Sequence, residues 1–390
     1  MRFLHTADWH LGRQMRGRSR VSEFEAVLTE IKDIAVSEDV DVVLVAGDIW
    51  DTNSPSPESD RLLFSALREF VAHEIEVVLI AGNHDSAHKL DAIGKLSELL
   101  NVHTQAYVKG HDKGGIIRIM RDNVQAEIAA IPWIPDGKAL DAIDVLSDTV
   151  KNRGIYQDFV EGIYKNVVKG YTSNSVHLLM GHVFVDGALL ADIEGSERRL
   201  HIDVAYGVAK ARLPQEPQYL ALGHIHHPQE ILGTPNGSAA YAGSILQLDF
   251  GEREQQKIVR IIDLEPGLPA KPRLIPLTSG KPLVELKGTP EEVLAKSEKN
   301  ENKNAYIRAV LEVDAPEPGM AQKMRDSAAG IVDIRLDYDR IEENVSTVSI
   351  QDLKPEELFV RYYQEQHGTI PSDELLALFR EILGEVVSTE

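Results

Sequence analysis

A chain of 390 residues, 43% hydrophobic and 26% charged, has the composition of an ordinary globular protein and is long enough for two domains or one large domain with appendages. It contains no cysteine, which excludes disulfides and thiolate metal sites, and it has no apolar run of transmembrane length and no signal-peptide core near Met1, which together favour the cytoplasm and no membrane partner. The formal charge of −21 excludes nonspecific nucleic-acid binding by the whole surface, but it leaves room for a local basic groove or for a site where metal ions carry the positive charge.

The first predicted strand, Phe3 to Ala7, ends in Asp8-Trp9-His10. Next come Arg13, Arg16, Arg18 and Arg20 in what reads as an exposed loop, either holding phosphates or simply solvated. A helix follows, with Phe24, Val27, Leu28, Ile31 and Ile34 at helical spacing. Val42 to Ala46 is an unbroken apolar run of the kind that forms a strand buried on both faces, and it ends in Gly47-Asp48. After a loop at Asp51 to Pro55 a helix carries Leu63, Leu67 and Phe70. Val77 to Ala81 repeats the pattern and delivers Gly82-Asn83-His84-Asp85, followed by a helix with Leu90, Ile93, Leu96 and Leu99.

In the middle, Ala126 to Ile131 reads as a strand, Pro132 to Pro135 as a rigid loop, and roughly 138–170 as helical. Val176 to Met180 is a strand ending in Gly181-His182, and Tyr219 to Leu222 one ending in Gly223-His224-Ile225-His226. Tyr241 to Ser244, Ile258 to Ile262 and Leu274-Ile275 add strand material. After Gly280 a small β-α-β-α-β module is predicted, and from Asp352 two amphipathic helices separated by Gly368-Thr369-Ile370-Pro371.

Five strand ends thus terminate in potential metal ligands: Asp8 and His10, Asp48, Asn83 and His84, His182, then His224 and His226. A lone histidine at a strand end is more often structural, and Asp8 or Asp48 alone reads as a turn. The repetition of the pattern at every apolar run is what points to chemistry. Carboxylates, an amide and imidazoles without thiolate suit Mn, Fe, Zn or Mg. So many ligands exceed one ion's needs, and two ions bridged by one carboxylate fit the count. The other histidines, among them His5, His73, His88, His103, His111, His177, His201 and His367, read as structural, and His227 stays open beside His226.

These motifs together resemble the signature of the calcineurin-like metallophosphoesterase superfamily. Gly47 to Thr52 and Tyr241 to Glu252 resemble more narrowly its SbcD nuclease family, with Ala242 where that family usually has proline. The resemblance implies an α/β protein with a four-layer α-β-β-α core, a small α/β cap domain and a C-terminal helix-loop-helix. The expected domains are 1–278 (nuclease), 279–345 (capping and DNA binding) and 346–390 (helical and partner-binding). It implies two Mn ions, with Mg as the alternative: one held by Asp8, His10, Asp48 and His226, the second by Asp48, Asn83, His182 and His224. His84 is the implied catalytic histidine, assisting attack by a metal-activated water, with Asp85 either orienting it or capping the next helix. The implied activity is exonucleolytic and endonucleolytic cleavage at DNA ends and hairpins, in repair, recombination and replication at the nucleoid. The implied partner is an SbcC-type coiled-coil ATPase, in a heterotetramer built on a homodimer of this chain. The alternative is a phosphoesterase of small phosphodiesters or phosphoproteins, since the same metal core serves both; the added module and tail favour the nuclease. Arg13, Arg16, Arg18 and Arg20 are the candidate DNA contacts. In the tail, Leu358, Phe359, Tyr362 and Tyr363 form one apolar stripe and Leu375, Leu376, Phe379, Ile382, Leu383 and Val386 another. The two stripes pack either on the partner, on each other or on the core.

Overall fold

The structure is a computed structural model that describes residues 1–97, 101–135, 149–189, 207–338, 356, 358–360, 362–363, 371–372 and 375–379. In chain order the elements are β1 (Arg2–Thr6), α1 (Val21–Ser37), β2 (Val42–Val45), α2 (Pro57–Ala72), β3 (Glu76–Ile80), α3 (Ala87–Ser97) and β4 (Val102–Gln105). There follow β5 (Ile116–Arg121), β6 (Val124–Ile131), α4 (Thr149–Val167), β7 (Ser175–His182), β8 (Tyr219–Gly223), β9 (Gln229–Glu230), β10 (Ala239–Tyr241), β11 (Ile258–Asp263) and β12 (Lys271–Pro276). The last are β13 (Leu283–Gly288), α5 (Pro290–Ser297), β14 (Tyr306–Glu312), α6 (Met320–Ser327) and β15 (Ile331–Asp337).

Two six-stranded sheets, β12-β11-β1-β2-β3-β4 and β5-β6-β7-β8-β10-β9, carry the first part of the chain. The apolar runs are unbroken because both faces of each central strand are buried. Phe3, Val42, Leu44, Val78 and Ile80 point inward and meet Ile128, Leu178, Met180 and Ala221 of the other sheet. Their neighbours Leu4, Val43, Val45, Val77 and Leu79 point outward onto Phe24, Leu28, Ile31, Leu63 and Phe70 of α1 and α2. On the far side, Ala129, Leu179, Leu220 and Leu222 pack against Tyr156, Val160 and Tyr164 of α4. The result is the expected α-β-β-α layering. Local chemistry starts the helices: α2 begins with Pro57 after Ser56, whose hydroxyl accepts from the Ser59 N–H.

The strands β4 and β5 were not expected. β4 is short and half polar, and β5 is an antiparallel edge that buries Ile116 and Ile119 but exposes alternate residues, so neither has a long apolar run. The strand read at Tyr241 to Ser244 ends at Tyr241, because Gly243 turns the chain at φ 77°. Of the helix read at 138–170, residues 149–167 form α4, and 138–148 lie outside the described residues, as do Leu99 and His201.

The third sheet is parallel, in the order β13-β14-β15. Its α5 opens with a reciprocal capping box between Thr289 and Glu292, and its core is Val293, Ile307, Ala309, Leu311, Met324 and Ile331. Residues 1–337 form one compact unit. Within it a small second seam of Met15, Phe250, Leu283, Tyr306 and Val332 seats the third sheet.

Residues 338–390 form a separate unit. There the Phe359 and Phe379 rings stack at 4.3 Å, so the two apolar stripes meet each other at this pair. Ile382, Leu383 and Val386 lie outside the described residues. Among the described residues no helix is long and apolar enough to cross a membrane.

Candidate metal centre

β1, β2 and β3 run parallel in one sheet, and β7 and β8 run parallel in the other. Their C-terminal ends meet at one rim, where ligands collect in open α/β sheets. Two contacts tie the sheets together there: the His182 ring bonds the Ala46 carbonyl at 2.8 Å, and the His224 N–H donates to Asp8 at 2.9 Å. The backbone at the rim is strained. Asp8, His10, Asp48 and His224 have φ of 50°, 47°, 50° and 99°. A non-glycine residue in this region costs about 1–3 kcal/mol and persists where the surroundings over-determine it. Close approach requires two of the glycines that precede candidate ligands. A Cβ on Gly82 would overlap Asp48, and one on Gly223 would overlap the Ala46 carbonyl.

The side chains converge on Asp48. Its Oδ2 lies 3.6 Å from His10 Nε2 and 3.4 Å from His182 Nε2. On one side of it His10 Nε2 and His226 Nε2 face each other at 3.1 Å. On the other side Asn83 Oδ1 lies 2.9 Å from His182 Nε2 and 3.1 Å from His224 Nδ1. His10, Asp48 and His84 each bring a donor atom within 4.8 Å of the others, and so do Asp8, Asp48 and His182. Asp48 belongs to both groups.

The electrostatics are those of a site built for cations. Asp8, Asp48, His10, His182, His224 and His226 are all buried, while Asn83 and His84 stand on the open side. Among the described residues no lysine or arginine pairs with Asp8 or Asp48, and Asp8 Oδ2 is buried without a hydrogen-bond partner. Burial raises the Asp8 carboxyl to about 6 against the opposing pull of His182 and His226. Burial acts on Asp48 in the same direction, but His182, then His10 and His84, hold it well below the usual carboxylate range. Burial depresses His182 while Asp48 and Asp8 more than reverse that, bringing it to about 9. Burial drives His10 down to about 4 and His224 well below the ordinary value. Two buried carboxylates, one open carboxylate oxygen and the imidazoles of His10 and His224 that burial keeps neutral fit divalent cations, and a cation beside Asp48 would take the place of the His182 proton.

All eight candidate side chains are therefore in one cluster, and among the described residues none of the histidines read as structural joins it. Asp85 does neither of the jobs expected of it. Its carboxylate accepts from the N–H groups of Ile49, Trp50 and Gly82, at 3.2, 2.9 and 2.8 Å, and so pins the loop after Asp48 to the turn before Asn83. His84 is oriented instead by the Asp51 carbonyl, 2.8 Å from its Nδ1.

The basic loop needs correction at Arg20, whose side chain is buried. It pairs with Glu23 at 2.8 Å and donates to the Gln247 carbonyl at 2.6 Å, so it packs the core and is not open to DNA. Arg16 reaches Asp333 at 3.3 Å, Arg18 the Ala329 carbonyl, and Arg13 Asp51 at 3.4 Å. Sequence reading missed Trp133, stacked on His224 at 5.1 Å, and Glu252, 3.0 Å from His226 Nδ1. Glu252 lies in the Tyr241 to Glu252 stretch already singled out, but nothing in its spacing distinguishes it from a surface acid.

Residues 1–228 match the family model described as calcineurin-like phosphoesterase, and residues 279–367 the one described as type 5 capsule protein repressor C-terminal domain. The SbcD subunit of nuclease SbcCD from Bacillus subtilis (strain 168) is 31% identical over 394 residues, spanning 99% of this chain and 98% of that one. Its namesake from Staphylococcus epidermidis is 26% identical over 388 residues, 98% of this chain and 99% of that one. The one from Rhodobacter capsulatus is 31% identical over 306 residues, 73% and 71% of the two chains.

Proposed function

Because the chain belongs to the calcineurin-like phosphoesterases, and within them to the SbcD family of nucleases, we propose that it is the Mn-dependent nuclease component of an SbcCD-type complex, cleaving phosphodiester bonds at DNA ends and hairpins. The observation that carries the two-metal part of this reading is the position of Asp48 Oδ2 close to both His10 Nε2 and His182 Nε2, one carboxylate shared by two donor sets; the added third sheet and tail favour DNA over smaller substrates. Asp8, His10, Asp48 and His226 then hold one ion and Asp48, Asn83, His182 and His224 the second. Two divalent ions, when bound, supply Lewis-acid charge at the phosphoryl oxygens and an activated water.

The chain's own residues do the rest. His84 keeps its Nδ1–H on the Asp51 carbonyl, which leaves Nε2 free; when the ring is the imidazolium, Nε2 carries the proton that hydrogen-bonds or protonates the departing oxygen. Asp85 holds the two ligand-bearing loops together through backbone N–H groups and so keeps Asp48 and Asn83 in register. The acidic surface makes DNA affinity depend on the bound ions, on Arg13, Arg16 and Arg18, and on the partner.

In the same reading residues 1–278 are the nuclease domain, 279–345 the cap and 346–390 the segment that docks on an SbcC-type coiled coil, in a heterotetramer built on a homodimer of this chain. The separate core of the third sheet supports the first division. The test is hydrolysis with Mn of a simple phosphodiester, a phosphomonoester and DNA in parallel, with and without the ATPase. DNA and diester cleavage is expected, with duplex ends requiring ATPase and ATP. A phosphomonoesterase indifferent to DNA would overturn the proposal. Truncation after about residue 345 should leave Mn-dependent cleavage of single-stranded DNA and abolish association with the ATPase. Co-purification of the shortened chain at unchanged affinity would remove the docking role of the tail.

A further inference from the structure

His182 and His226 are assigned to different ions, and their far ring nitrogens are held differently. His182 Nδ1 is 2.8 Å from a backbone carbonyl, that of Ala46. His226 Nδ1 is 3.0 Å from a carboxylate, Glu252 Oε1. Glu252 is itself buried, 2% exposed, on a turn that the metal reading does not use.

The chain from Gly243 to Lys257 wraps His226. The Ser244 N–H and the Lys257 ammonium both donate to the His226 carbonyl, at 3.2 and 2.9 Å. Glu252 Oε2 accepts from Lys257 Nζ at 2.7 Å, from the Leu248 N–H at 3.1 Å and from the Ser244 hydroxyl at 3.2 Å. With an ammonium and a backbone N–H on it, Glu252 is an anionic acceptor and has no proton to give. The Nδ1 of His226 must then be the donor, and a neutral imidazole that donates from Nδ1 has its lone pair on Nε2. That Nε2 is the atom 3.1 Å from His10 Nε2.

We propose that Glu252, charge-balanced by Lys257, is the positioning residue that commits His226 to the tautomer with Nε2 unprotonated, and that it thereby sets the affinity of one of the two metal positions and not of the other. This rests on the ligand assignment above. A carboxylate behind a ligating imidazole fixes ring orientation and raises the basicity of the ligating nitrogen. Because Glu252 hydrogen-bonds His226, while Asn83 bonds His182 and His224, its effect is expected at the ion held with Asp8 and His10.

The experiment is Mn²⁺ titration of the full chain, followed by calorimetry and by the electron paramagnetic resonance of free Mn²⁺, for wild type, Glu252→Gln and the charge-balanced Glu252→Gln/Lys257→Met. The ring ¹⁵N shifts of His226 in metal-free protein, assigned by comparison with His226→Gln, report the tautomer. Wild type should bind two ions and show the Nδ1–H form. Glu252→Gln should weaken one ion by about 10–100-fold, leave the other within about twofold, and mix the tautomers. The double variant should regain thermal stability, since removing both members of a buried pair strands no charge, without regaining the lost affinity. Equal weakening of both ions, or affinity restored along with stability in the double variant, would make Glu252 a structural counter-ion and overturn the proposal. So would an unchanged His226 tautomer. A wild type that binds fewer than two ions would overturn the dinuclear reading itself, which separates the two failures.

Discussion

His5 lies in the middle of the inter-sheet core and His182 at its rim, and both side chains are buried. His5 is surrounded by neutral partners and one cation. Its Nδ1 accepts from the Tyr219 hydroxyl at 3.1 Å and its Nε2 donates to the Leu222 carbonyl at 3.2 Å. Burial, then the charge of Arg260, drive its pKa down to about 3. Burial works on His182 in the same direction, but Asp48 and Asp8 turn the outcome around to about 9. Depth of burial therefore does not separate a core histidine from a candidate metal ligand. What separates them is whether the neighbouring strand ends bring carboxylates or carbonyls.

That contrast breaks most sharply at Asp48. Asp48→Ala should empty both metal positions and lower DNA hydrolysis by about 10³-fold or more, since the site loses the charge common to both donor sets. Metal content by mass spectrometry checks this, and one ion retained with full activity would sink the shared-carboxylate reading. Next in size is His84→Ala, expected to keep Mn content while turnover falls by about 10²–10⁴-fold. Loss of metal in that variant would make His84 a ligand, as its closeness to His10 and Asp48 permits.

Core chemistry gives a smaller, pH-dependent effect. His5→Gln should cost about 1–3 kcal/mol of stability by leaving Tyr219 or Leu222 short of a partner, with metal content unchanged. The folded pKa of His5 lies below the ordinary value of 6.5, so between the two the unfolded chain binds a proton that the folded chain refuses. The stability from neutral His5 is fully present above about pH 6.5 and is lost as pH falls toward 3, at up to about 1.4 kcal/mol per unit. Subtracting denaturation curves of His5→Gln from wild type across this range isolates that slope, and a flat difference would show that His5 is protonated in the fold. The smallest expected effect is at the solvated edge. Arg13→Ala should lower DNA affinity only a few-fold and reduce the salt slope by about one, as a single phosphate contact does. An unchanged slope would remove Arg13 from the DNA path.

Much of the core was legible because its strands are buried on both faces and so have no polar alternation to blur them. Val42 to Ala46 and Val77 to Ala81 each announce a strand and, by ending in glycine, the close backbone approach that follows. The edge elements were not legible, because in a strand such as β5 arginines interrupt the apolar residues and no unbroken run announces it. Arg20 misled for a related reason. Four arginines within eight residues read as one solvated set, but Arg20 stands where α1 begins, against buried Glu23 and the Tyr306 ring, and only the seat of the third sheet makes that place interior.

What the sequence determined by itself was the set of side chains at the rim, since each follows an apolar run whose length and direction place its last residue. The layering was expected from the family resemblance alone, since a strand that is apolar on both faces does not say which face meets the other sheet. What the tertiary structure alone decided was the partnership between those side chains. That Asp48 stands between His10 and His182, that Asp85 bonds three backbone N–H groups and not His84, and that Glu252 stands behind His226 all depend on two sheets meeting at one edge. Ångström-scale distances across that edge arise from packing between residues far apart in the chain, and local propensity holds no record of them.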